Sequence, residues 1–152
     1  MVVVANAAVT SDGVTSTYNL RIDRDDYIPG LTRLAKAIRQ QGVIACLQLN
    51  HAGRFAKTEQ PLLPSPIDSS NLAFNTEALK DFMNFFPLES RFKLTRDFLR
   101  QAIHWRRAMT AADLERIIVK YGEAAVRAYC AGFDMIELHG ANGYLICEFL
   151  SP

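Results

Sequence analysis

Apolar positions along this chain recur in two periods, one suited to strands and one to helices. Val2-Val3-Val4-Ala5 and Val43-Ile44-Ala45-Cys46-Leu47 are short apolar runs without polar alternation, the pattern of strands covered on both faces. The second run continues through Gln48-Leu49. Between them a helix is predicted to start near Asp26, with Pro29 tolerated in its first turn. Leu31, Leu34, Ala35 and Ile38 fall at i, i+3, i+4 and i+7, so one stripe of it is apolar, and Gly42 is placed to stop it. The scheme repeats further on. Thr110 and Asp113 have capping-box spacing, and Leu114, Ile117, Ile118, Tyr121 and Ala125 are the predicted buried face of the helix they open. Gly132 closes that helix, and Phe133 to Leu138 is a third strand ending at His139.

Strand, helix, strand, helix, strand with short returns implies parallel strands and right-handed crossovers, so the class is α/β. The stretch 59–108 is too long for an ordinary loop. Residues from about Thr76 to Phe86 and from Glu89 to Arg107 have helical character, which predicts a helical insertion within one domain spanning 1–152. Leu94, Phe98, Ala102 and Trp105 make an apolar stripe there, with Arg96, Arg100 and Arg107 on another side. Those arginines form either a solvated face or a contact for an anionic substrate tail.

Composition narrows the function. The chain has 152 residues, 49% hydrophobic and 22% charged, with 17 basic against 16 acidic side chains. That balance points to neither a nucleic-acid nor a membrane surface. The three cysteines are far apart and in no metal-ligand spacing, so small buried thiols, a reduced cytoplasmic setting and no metal site are expected.

In parallel α/β folds the functional groups collect at the carboxyl ends of the strands. Two polar clusters lie there, Gln48 to Arg54 and Glu137 to Tyr144. No glycine-rich phosphate loop of the common nucleotide-binding types is present, which favours a barrel over a doubly wound domain. His139 and Asn142, three residues apart among glycines, can converge as two donors on one oxygen and polarise a carbonyl. Tyr144 can deliver a proton to a neighbouring carbon. From position alone, His139 can equally be a structural hydrogen-bonder, and Tyr144 can simply anchor the loop. Gln48 ends an apolar strand, where an unpaired amide would cost a few kcal/mol. Its side-by-side donor and acceptor suit the imide edge of a flavin ring, or else neighbouring backbone. His51 and Arg54 can orient a cofactor or the following excursion.

Taken together, Gln48-Leu49-Asn50-His51-Ala52-Gly53-Arg54, Ala131-Gly132-Phe133-Asp134, Glu137 through Leu145, and Phe149-Leu150-Ser151-Pro152 resemble successive signatures of the Old Yellow Enzyme family, in the family's order. The variant is similar to its 2,4-dienoyl-CoA reductase-like branch. The resemblance implies a (β/α)8 barrel that binds FMN at the strand ends and is reduced by NADH or NADPH. Hydride then passes to an activated C=C of an enone or enoyl-CoA-like substrate. It further implies Gln48 as the flavin-ring amide, and His139 and Asn142 as the grip on the substrate carbonyl, with His139 also near the flavin. Tyr144 becomes the proton donor, and Asn6, after the first strand, a flavin contact. Cys147 and Glu148 depart from an amide pair common in the family.

A complete barrel takes about 250 residues, so the chain is expected to be a piece, about strands 2 to 4. In isolation it is expected to be inactive, with open sheet edges favouring self-association. The competing expectation is a non-catalytic half-barrel acting as a binding or assembly module. A further one is a flavin-free lyase or hydrolase using His139 and Glu137.

Overall fold

A computed structural model describes residues 1–66, 84 and 106–151. Strand β1 runs Val2–Ala8, β2 Leu20–Arg21, β3 Ala45–Asn50, β4 Leu62–Leu63, β5 Arg107–Ala108 and β6 Met135–Leu138. Helix α1 is Ile28–Arg39, α2 Ala111–Cys130 and α3 Leu145–Leu150. Four strands form one parallel sheet in the order β2-β1-β3-β6, and β4 with β5 makes a separate parallel pair. The α/β class and the three principal strands are those the periodicity predicts.

The local chemistry of each element accounts for its limits. Pro29 lies in the first turn of α1, where a missing N–H costs nothing. Gly42 has φ +73, a left-handed conformation that ends the helix and releases the chain into β3. Thr110 and Asp113 form the capping box in both directions, side chain to backbone each way. The core lies between one face of β3 and the two long helices. Leu47, Leu49 and Phe133 pack there with the small side chains Ala35, Ala124 and Ala128. Each fully buried leucine contributes roughly 2 kcal/mol.

Four expectations need correction. Strand β1 is longer than its valine run and carries a register shift between Val4 and Ala7. Its first residues are not covered on both faces, since Val2 and Val3 are exposed while Ala7 and Ala8 are fully buried. The second strand begins at Ala45, leaving Ile44 half exposed. The buried face of α2 is Ile117, Ala124 and Ala128, with Tyr121 and Ala125 partly buried, whereas Leu114 and Ile118 are exposed. Alanines carry little hydrophobic signal in sequence, yet they let α2 approach the sheet closely, and that rotates the helix away from its larger residues. Lastly, Arg107 is in a strand and not a helix: its backbone N–H donates to Pro61 O at 3.0 Å. Its guanidinium grips Asp113 through two bonds, of 2.6 and 2.9 Å, and is therefore an internal ion pair. The rest of the expected helical insertion, with Arg96 and Arg100, lies outside the described residues. Of the thiols, Cys46 is buried, Cys147 half-buried and Cys130 exposed.

Candidate active site

Parallel pairing of β3 with β6 puts Gln48 opposite Glu137 and Leu49 opposite Leu138. Side chains alternate along a strand. Ala45, Leu47 and Leu49 therefore face the helices, and Cys46, Gln48 and Asn50 face the other way. The Gln48 amide donates to the Glu137 carboxylate. A carboxylate only accepts, so this bond assigns the amide's nitrogen to Glu137 and leaves its carbonyl oxygen turned elsewhere.

Past the end of β6 the chain stays attached to β3, with His139 N–H donating to Leu49 O at 3.0 Å. A tight turn follows, closed by Tyr144 N–H to Ala141 O at 3.2 Å. Its central residues, Asn142 and Gly143, have φ +58 and +68. Asn-Gly is the pair that tolerates two successive left-handed residues. The turn folds Asn142 back over His139, so that Asn142 Nδ2 lies 3.4 Å from His139 Nε2.

The tautomer decides what this contact means. His139 Nδ1 accepts from the Ala141 backbone N–H at 3.3 Å. A neutral imidazole that accepts at Nδ1 carries its proton on Nε2. Nε2–H and the Asn142 amide N–H are then two donors side by side, unable to satisfy each other. The arrangement is completed by an acceptor, such as a carbonyl oxygen, placed between them. His139 is only 7% exposed, whereas Asn142 stands on the solvent-facing side of the turn.

Tyr144 follows the turn as the N-cap residue of α3 and makes no side-chain cap. Its ring instead stands edge-on to His139, 4.9 Å between centroids and 84° between planes. Three of the residues singled out from sequence, His139, Asn142 and Tyr144, are thus brought together, with Gln48 on the adjacent strand. Asn6 lies beyond β3 on β1, where its backbone oxygen and Oδ1 both accept from Asn19 Nδ2, at 2.8 and 3.1 Å.

His51 is fully buried and takes a scaffolding place. Its Nδ1 accepts from Gly53 N–H at 3.1 Å, and its Nε2 lies 3.8 Å from Asp12, which pairs with Arg116 at 2.8 Å. A Cβ at Gly13 would lie 2.6 Å from the imidazole, so glycine is required there.

Sequence reasoning passed over Asn50. Its side chain is 0% exposed, and neither amide atom has a hydrogen-bond partner among the described residues. A buried unpaired amide is costly. It lies on the strand face it shares with Gln48, so this face offers polar groups to something that the described residues do not supply. A planar heterocycle edged with N–H and C=O groups fits that donor and acceptor set.

A parallel sheet with a polar cluster at its carboxyl ends is the place where barrel enzymes build their sites. The comparisons with known proteins agree. The family model for NADH:flavin oxidoreductase / NADH oxidase proteins matches residues 1–152. The chain is 39% identical over 151 residues to the NADH:acrylate oxidoreductase of Vibrio harveyi, covering 99% of this chain and 13% of that protein. It is 37% identical over 153 residues to the NADPH dehydrogenase of Halalkalibacterium halodurans, covering 100% of this chain and 36% of that one. In structure it resembles Old Yellow Enzyme from Pichia sp. AKU4542, with a TM-score of 0.71 at 22% identity, over 98% of this chain and 35% of the other. The chain belongs to the NADH:flavin oxidoreductase / NADH oxidase family. FMN and a nicotinamide reductant are the cofactors that membership brings. The fold is part of a (β/α)8 barrel, and the chain spans about a third or less of the length of these relatives. Among the described residues no helix is long and apolar enough to cross a membrane.

Proposed function

We propose that this chain carries the substrate-activating part of an FMN-dependent ene-reductase site, acting on an activated alkene such as an enone or enoyl-CoA-like compound. The observation that carries the reading is Asn142 Nδ2 lying 3.4 Å from His139 Nε2 while His139 Nδ1 accepts from the Ala141 N–H, an arrangement suited to two donors meeting one acceptor. A carbonyl oxygen seated there is polarised, and its alkene becomes electron-poor at the β-carbon. FMN, when bound, supplies the hydride that NADH or NADPH has given it. Gln48, held by Glu137, and Asn50 are the groups that would meet the ring edge. His139 and Asn142 hold the negative charge that grows on the carbonyl oxygen as hydride reaches the β-carbon. Tyr144 then passes its phenolic proton to the α-carbon. The C=C bond thereby gains one hydride and one proton, and the nicotinamide is the species oxidised.

The relative named for acrylate supports a conjugated carbonyl as substrate class. A cytoplasmic setting goes with the same reading. The test is a titration of the chain with FMN, followed by flavin fluorescence, for the native sequence and for Gln48→Ala. Saturable binding that Gln48→Ala weakens is expected. Binding of equal strength in both proteins would remove Gln48 from the cofactor site.

A further inference from the structure

The two strand-end loops are fastened together by an acidic side chain that the reading above leaves idle. Glu148 stands in α3, and its side chain is only 6% exposed. Burial raises its carboxyl above the ordinary carboxylate value, opposed by the backbone N–H and the charge of Arg54. Oε1 accepts from the Arg54 backbone N–H at 2.9 Å, and the Arg54 Nε lies 3.8 Å from the same oxygen.

The carboxylate reaches that backbone because residue 53 has no side chain. A Cβ on Gly53 would lie 2.6 Å from Oε2, 2.7 Å from Oε1 and 2.8 Å from Cδ. Gly53 also has φ +54, so the 3-10 turn Gly53–Phe55 takes its shape around the carboxylate.

The turn in its place supports the catalytic loop. A Cβ on Gly143 would meet Arg54 Nη2 at 2.9 Å and Phe55 Cε2 at 3.2 Å, which puts Arg54 and Phe55 directly against the Asn142-Gly143 turn. The Arg54 guanidinium lies over the Phe55 ring at 4.8 Å. Phe55 stands edge-on to Tyr144 at 6.3 Å, and Tyr144 edge-on to His139 at 4.9 Å. Contacts run without a gap from Glu148 through Arg54 and Phe55 to Tyr144.

We propose that Glu148 is a positioning residue for Tyr144: its buried carboxylate fixes the Gly53–Phe55 turn, and that turn holds the phenol beside His139. The inference rests on the reading of Tyr144 as proton donor. A proton donor displaced by an ångström loses much of its rate, so holding this ring is a task with a functional consequence.

The test is an NMR measurement of cross-relaxation between the His139 and Tyr144 rings in the 152-residue chain labelled at tyrosine and histidine. The native chain is expected to show it, and Glu148→Gln to keep it, because the amide oxygen still accepts the Arg54 N–H. Glu148→Leu is expected to lose it. Should Glu148→Leu not fold, Gly53→Ala, whose methyl group pushes the carboxylate off the Arg54 backbone, is expected to lose it instead. A folded Glu148→Leu or Gly53→Ala chain with the ring contact intact would overturn the proposal. So would absence of the contact from the native chain. The catalytic reading fails separately: Tyr144→Phe would then leave alkene reduction unchanged in the flavin-loaded protein while the ring contact still depended on Glu148.

Discussion

His139 and Asn142 show how a catalytic claim can rest on one proton. With Nδ1 accepting from Ala141, the imidazole presents Nε2–H beside the Asn142 amide, and both donors wait for one acceptor. Replacing Asn142 with alanine removes one donor at the oxygen. In the flavin-loaded protein it is expected to slow alkene reduction by about 10²–10³-fold, leaving flavin reduction by the nicotinamide unchanged, as stopped-flow absorbance would read. Tyr144→Phe is expected to slow the same half-reaction by about 10²–10⁴-fold, again without touching flavin reduction. These residues were legible in sequence because they directly follow an apolar strand, where function collects in parallel folds. The partners that hold them were less so. Glu148 binds the backbone of a residue 94 positions away, and no local pattern announces such a bond. Asn50 was missed for a related reason: sequence shows a polar residue at a strand end but not that its amide is buried without a partner.

Helix caps were readable because their chemistry is local. Thr110 accepts from Asp113 N–H at 3.1 Å, and Asp113 returns the bond at 2.9 Å. Thr110→Ala is expected to cost about 1 kcal/mol, visible as a lower urea midpoint with unchanged slope. Of the predicted α2 face, Ile117, Tyr121 and Ala125 do pack inward, while Ala124 and Ala128 were missed because alanines carry little apolar signal. The two-residue strands β2, β4 and β5 were missed because two residues have no period. Tyr121, on that same helix face, gives the element a pH signature. Burial pushes its phenol up from 10.0 to about 12. A folded value raised above the unfolded one means the native state keeps a proton that the unfolded chain has released. Its contribution is therefore fully present below about pH 10 and is lost as pH rises toward about 12. Denaturant midpoints measured between pH 9 and pH 12 are expected to fall over about that window, with a shallower fall in Tyr121→Phe.

The sheet as a whole is asymmetric. Its interior strand β3 is closed on both sides, whereas β6 is an edge of the described sheet, with Met135, Ile136 and Leu138 exposed. An apolar parallel edge pairs readily with another chain. The 152-residue chain on its own is expected to self-associate with rising concentration in sedimentation velocity, and Ile136→Lys to reduce this. The parallel order, the three long strands and the clustering of polar groups at one end followed from the spacing of apolar runs. Open edges were expected from the strand count, but which residues they expose was not, because apolar runs look alike whether or not a neighbour covers them. The central claim is that the His139, Asn142 and Tyr144 cluster activates a conjugated carbonyl for reduction. It is tested most directly by mixing a complete, reduced, flavin-loaded barrel that contains this chain anaerobically with 2-cyclohexenone, and separately with cyclohexanone, while following the flavin absorption band. Reoxidation by the enone, absent with the saturated ketone and slowed by Asn142→Ala, is the result expected. Flavin that is reoxidised by oxygen but by neither ketone would contradict the account.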